Sequence, residues 1–94
     1  MHGIIIDVSV KPNRKEDARK MLVDMIVPRA KTHKGIIKGY WLQELNGEIL
    51  RAIQLYDTEV NARETANRIA SEGPPPGAPV SLISVTTYEV LAEV

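Results

Sequence analysis

The sequence predicts an α+β fold of the ferredoxin-like kind, β-α-β-β-α-β, with a four-stranded antiparallel sheet in a single domain over residues 1–94. Two observations carry the prediction. Four runs rich in β-branched residues are separated by two stretches with apolar residues at helical spacing, and an Asn-Gly pair joins the two central runs. A chain of 94 residues buries roughly two-thirds of its unfolded surface, enough for one core.

The first strand is "GIIIDVSV", in which Ile4, Ile6, Val8 and Val10 alternate with Ile5, Asp7 and Ser9. Asn13 then stands where a cap is expected, with Glu16 three residues on to complete a capping box. The stripe Ala18, Met21, Leu22, Met25 and Ile26 defines the buried face of helix one. Pro28 removes a hydrogen bond from that helix, so a kinked continuation is expected, ended at Gly35 by a left-handed residue.

"GIIKGYWLQEL" and "EILRAIQLY" read as an antiparallel hairpin turned at Asn46-Gly47, a pair that tolerates positive φ at both central positions. Helix two follows in "DTEVNARETANRIASEG", with Asp57 as the expected cap, Ala62, Ala66, Ile69 and Ala70 on its sheet side, and Gly73 at its end. "GPPPGAP" is a stiff turn or lid, and "VSLISVTTYEVLAEV" supplies the last strand.

Composition excludes several functions. Without cysteine there is no disulfide, thiolate nucleophile or thiolate metal site, and the cytoplasm is the expected location. No apolar run approaches the ~20 residues of a membrane helix, and "MHGIIIDVSVKP" lacks the basic start of a secretory signal, so no membrane role is expected. Residues 1–40 carry nine bases and four acids, and residues 41–94 carry three and eight, so the halves are +5 and −5. Overall neutrality weakens attraction to phosphate, and "GIIIDV" and "EILRAIQL" lack the stacking aromatics of RNA-binding modules, so no nucleic-acid partner is expected. "VKPNRKE" is not a phosphate loop.

Two helices cover one face of a four-stranded sheet, yet Ile4 and Ile5, Ile36 and Ile37, and Leu82 and Ile83 place apolar residues on both. The run Val80 to Val94 is also longer than the five or six residues usual for a strand. Two copies packed sheet against sheet, with exchanged C-terminal ends, account for both features as a closed homodimeric barrel. The competing reading is a monomer whose polar Asp7, Ser9, Arg51 and Gln54 let one face meet water.

The segment "PRAKTHKGIIKGYWLQELNGEILRAIQLYDTEVNA", with the order of elements, resembles the antibiotic-biosynthesis-monooxygenase-like proteins of the dimeric α+β barrel superfamily. The resemblance implies a homodimer with a pocket between each sheet and its helices. It also implies a cofactor-independent monooxygenase acting on a phenolic or quinol-like compound that itself supplies electrons to oxygen, with no cofactor and no metal. The alternative is a noncatalytic homodimer that binds a small ligand or serves as an accessory subunit. Haem-degrading relatives use an Asn on the first strand, a Trp and a haem-ligating His. "GIIIDVSV" has no Asn, and neither His33 nor Trp41 matches that pattern, so haem degradation is not implied.

His33, which titrates near neutrality, and Trp41, a flat apolar ring, are the catalytic candidates. Against them stand a His stabilised by a helix C-terminus and a Trp that fills core or interface. Tyr40, Tyr56, Asp7 and Arg51 are the ligand-binding candidates. Tyr40 and Trp41 are adjacent on a strand, so only one can face the helices. Asp7 and Arg51 either pair inside a barrel or keep an exposed face wet, and Tyr56 and Tyr88 either bind a phenolate or pack.

Overall fold

The computed structural model describes residues 1–94, and its order is β1 (His2–Val10), α1 (Lys15–Met21), a π-helical turn (Leu22–Ile26), α2 (Val27–Ala30), β2 (Ile36–Gln43), β3 (Ile49–Tyr56), α3 (Glu59–Glu72) and β4 (Val80–Glu89). The four strands form one antiparallel sheet in the order β2-β3-β1-β4. This is the expected ferredoxin-like arrangement.

Local chemistry departs from expectation at the turns. Asn13 does not cap a helix: its φ of 61° and the bond from Arg14 N–H to the Lys11 carbonyl, 3.1 Å, make Lys11-Pro12-Asn13-Arg14 a tight turn. Pro12 presets the first central position and Asn13 takes the left-handed second one, as a type II turn requires. The helix then starts at Lys15 after Arg14. Arg14 also pairs with Asp17 at 3.0 Å and donates to the Gly77 carbonyl, so it pins the proline-rich loop.

Pro28 does not stop the helix. Val27 N–H donates to the Leu22 carbonyl five residues back, and the widened turn carries the chain past the proline that cannot donate. The extra residue per turn shifts the buried stripe. Ala18 and Ala30 are buried and Ile26 is half-buried, while Met25, expected inside, is exposed. The helix ends at Ala30, and Gly35, with φ 79°, serves the turn into β2 rather than the helix end.

The hairpin between β2 and β3 is a five-residue loop, Glu44 to Glu48, instead of a two-residue turn, and neither Asn46 nor Gly47 has positive φ. Gln43 Nε2 braces it by donating to the Gly47 and Ile49 carbonyls. Helix α3 is capped by Thr58, whose hydroxyl accepts from Asn61 N–H at 3.2 Å, one residue after the expected Asp57. Asp57 instead accepts from the Asn61 side chain at 2.8 Å. Ala62 and Ala66 are buried as expected, but Asn61 and Thr65 share that face and Ala70 is exposed.

Both helical layers lie on one face of the sheet. Ile4, Tyr56, Ala62 and Ala66 form a core under α3, and Val10, Ala18 and Val80 form a second under α1. The small alanines let α3 sit close. Pairing puts Tyr40, Ile53 and Ile5 on the opposite face, and Leu42, Arg51 and Asp7 beside them. Tyr40, Leu42 and Tyr88 are exposed there. Ile37 and Ile83 stand at irregularities in the register and have no partner opposite, which is why alternation fails at the Ile36-Ile37 and Leu82-Ile83 pairs. Gln54, expected among residues that wet the open face, is only 2% exposed and belongs to the helix side.

Candidate functional site

Between the two core clusters, on the helix side of the sheet, lies a cavity of about 180 Å³. Ile6, Val8, Leu50 and Ala52 floor it, Met21, Leu22 and Ile26 wall it from the first helical segment, and Ile69 and Pro74 close it from α3 and the proline-rich loop. One end is polar. His33, Gln54, Arg29, Arg68 and Glu72 stand there, and all but Gln54 continue with Thr32 into an open vestibule that has no hydrophobic lining.

Trp41 reaches the cavity because it pairs with Ala52 on the helix side, whereas Tyr40 pairs with Ile53 on the other. Its ring folds back along the strand over Gly39. A Cβ on Gly39 would stand 3.0 Å from Trp41 Cη2 and 3.1 Å from Cζ3, closer than ordinary packing allows. The glycine therefore makes room for the ring.

Behind the polar end runs a hydrogen-bonded chain. Tyr56 is fully buried, and its hydroxyl donates to Gln54 Oε1 at 2.7 Å. With that proton committed, the Tyr56 oxygen accepts from His33 Nδ1–H at 3.0 Å. The lone pair of the neutral imidazole is then on Nε2. Burial first, then the Arg68 and Arg29 charges, push His33 below its ordinary value, partly offset by Gln54, so the ring stays neutral near pH 7. Burial likewise raises the Tyr56 hydroxyl and keeps it a neutral donor.

The six sequence candidates thus divide. His33 and Trp41 line the cavity, and Tyr56 stands directly behind His33. Tyr40, Asp7 and Arg51 lie on the far face of the sheet. There Arg51 grips Asp7 through two bonds, 2.7 and 2.9 Å, and holds its carboxyl below the usual range. Gln54, Arg29, Arg68 and Glu72 were not sequence candidates. The signal for Gln54 was the alternation of Ala52, Gln54 and Tyr56 in β3, which puts an amide on the buried side of an otherwise apolar strand. For the two arginines no local pattern existed, because one comes from α2 and the other from α3, and only the fold brings both to the same opening.

No family model and no curated protein matches the chain. Among solved structures it is similar to the haem-degrader MhuD (Rv3592) from Mycobacterium tuberculosis with two haems bound in its active site, with TM-score 0.78 and 16% identity over 100% of this chain and 99% of that one. A mutant of MhuD with two manganese protoporphyrin IX molecules per active site gives 0.73 and 16% over 100% and 98%. Rv0793 from Mycobacterium tuberculosis gives 0.65 and 21% over 98% and 96%. At these identities the likeness is one of fold. The chain shares with them the ferredoxin-like α+β fold with its four-stranded antiparallel sheet.

Proposed function

We propose that the cavity binds a small phenolic or quinol-like molecule and that the chain is a cofactor-independent monooxygenase, active as a homodimer packed through the open sheet face. The observation that carries the reading is His33 at the polar end of an apolar cavity, its Nδ1 3.0 Å from the Tyr56 hydroxyl that donates to Gln54 Oε1, an arrangement that leaves the Nε2 lone pair for the ligand. His33 takes the phenolic proton, and the phenolate, richer in electrons, reduces oxygen. One oxygen atom forms a new ring carbonyl para to the first. The other leaves as water with the phenolic proton and the proton of the para C–H, and the phenol supplies all four electrons. Trp41 stacks on the ring and helps exclude water.

Size limits the substrate. A cavity of about 150 Å³ holds benzene, so about 180 Å³ suits one ring with small substituents. The four pyrroles of a haem do not fit this cavity, and haem enters no step of the reading. The homodimer rests on the exposed Tyr40, Leu42 and Tyr88 beside Ile5 and Ile53 on a face that no helix covers.

The test is oxygen uptake with a panel of single-ring phenols having a free para position, with the quinone followed by absorbance. Uptake above the uncatalysed rate that disappears in His33→Ala supports the reading. Measurable binding without uptake would replace it with a noncatalytic ligand-binding dimer.

A further inference from the structure

The two arginines of the vestibule have no partner in the protein. The five ion pairs of the chain use His2, Arg14, Lys20, Arg51 and Arg63, and neither Arg29 nor Arg68 donates a side-chain hydrogen bond to any group of the protein. Yet both line the same polar opening, one from α2 and one from α3, and both act electrostatically on His33 beside them. Two guanidinium groups brought to one opening repel each other and raise the cost of any further cation there. An anion entering between them relieves that repulsion, and the planar fork of Arg matches a carboxylate in particular. Glu72, from the last turn of α3, lines the same vestibule without pairing to either arginine, so it tempers the positive field without neutralising it.

From this geometry we infer that the ligand is a carboxylated phenol: its ring lies in the apolar cavity against Trp41, its hydroxyl meets His33 Nε2, and its carboxylate sits in the vestibule between Arg29 and Arg68. The inference rests on the phenol reading of the cavity and names the substrate class. Because His33 lines both the cavity and the vestibule, the hydroxyl and the carboxylate approach the same end of the ring. Substituents in a meta relation, as in 3-hydroxybenzoate, suit that placement better than groups at opposite ends. Gln54 adds a donor, since its amide nitrogen bonds to no group of the protein while the residue lines the cavity.

The experiment is calorimetric titration with phenol and with 3-hydroxybenzoate, anaerobically, at about 50 mM salt where surface charge is little screened. Wild-type protein is expected to bind 3-hydroxybenzoate at least ~10-fold more tightly than phenol, the scale of one charge-assisted contact. Arg29→Gln and Arg68→Gln, both exposed positions whose variants are checked by circular dichroism, are each expected to cut that ratio, and the double variant to bring it within about twofold. Glu72→Gln, which removes the only acid of the vestibule, is expected to raise the ratio. Equal binding of the two compounds by wild-type protein overturns the inference and leaves the phenol reading standing. Binding of neither compound overturns both. A preference that survives in the double arginine variant also overturns the inference, because the carboxylate is then recognised elsewhere.

Discussion

Tyr56→Phe isolates the hydrogen-bonded chain behind the cavity. The ring of Tyr56 is wholly buried among Ile4, Ala62 and Ala66, and phenylalanine keeps that packing. Only the hydroxyl is lost, and with it the bonds to His33 Nδ1 at 3.0 Å and Gln54 Oε1 at 2.7 Å. Each net bond contributes about 1 kcal/mol, and a buried acceptor left without a donor costs about 1–3 kcal/mol. Gln54 is 2% exposed and loses its hydroxyl donor, so the substitution should cost about 2–3 kcal/mol. Gln54→Leu in the same background removes the stranded acceptor, so the two costs should fall short of their sum by at least about 1 kcal/mol. Urea unfolding at fixed protein concentration gives both numbers, with the sole tryptophan, Trp41 in the cavity wall, as the reporter. A cost for Tyr56→Phe below about 0.5 kcal/mol, or strict additivity with Gln54→Leu, would refute the chain as drawn. Turnover should fall as well, because nothing then holds the free lone pair on His33 Nε2.

Four further outcomes follow from the same geometry. His33 binds its proton less readily folded than unfolded; its share of stability is therefore present above about pH 6.5 and lost as pH falls through the lower folded value. In His33→Gln the stability–pH curve should be flatter in that acid window, with His2 common to both proteins, and an unchanged slope counts against the depressed value. Gly35→Ala should cost about 2–3 kcal/mol, combining left-handed strain with the displacement of Asp57 and Asn61, whereas Gly77→Ala, with the same φ of 79° and open space around it, should cost about 1 kcal/mol; equal costs in urea unfolding would contradict the crowding at Gly35. Trp41→Ala should weaken 3-hydroxybenzoate binding about tenfold by removing the stacked wall, and unchanged calorimetric affinity would take the ring out of the site. In sedimentation at low micromolar concentration the wild-type chain is expected as a dimer and Leu42→Arg as a monomer, because a cation on the open face opposes burial; a wild-type monomer sinks the sheet-to-sheet assembly.

The sequence was most informative where a period repeats. The alternation Ile4, Ile6, Val8, Val10 in β1 set one face of that strand apart from Ile5, Asp7 and Ser9, since one slip would invert every side chain, whereas in β3 the polar character of Gln54 pointed to the open face although it shares the parity of Ala52 and Tyr56. It was least informative where a single residue satisfies several rules. Asn13 suits a cap and a left-handed turn position equally, and the preceding Pro12 decided for the turn. Asp57 and Thr58 are both good caps, and the choice rested on a tertiary demand: Gly35 brings its backbone against Asp57, which accepts from Asn61 and leaves the cap to Thr58. Pro28 announced a kinked continuation, and the helix does continue, but through a π-helical turn that moved Met25 outward in a way no 3.6-residue period foretells. The site was half legible for the same reason. His33 and Trp41 belong to chemically conspicuous types, but Arg29 and Arg68 are ordinary helix-surface residues until the fold brings both to one opening.

The triplet Gly39-Tyr40-Trp41 shows how one strand serves two surfaces. Strand geometry sends Tyr40 and Trp41 to opposite faces, so the exposed tyrosine belongs to the open face and the tryptophan to the cavity. Gly39 shares the cavity face with Trp41, and its missing side chain lets the indole lie down along the strand instead of standing up between the helices. That posture matters for volume. An upright ring at this position would project into a cavity of only about 180 Å³, and a benzene-sized space is lost when one more ring enters it. The glycine is thus better understood as the residue that keeps the cavity open than as a break in the strand. The cost of a flexible residue in a strand interior is then offset by what the cavity can hold.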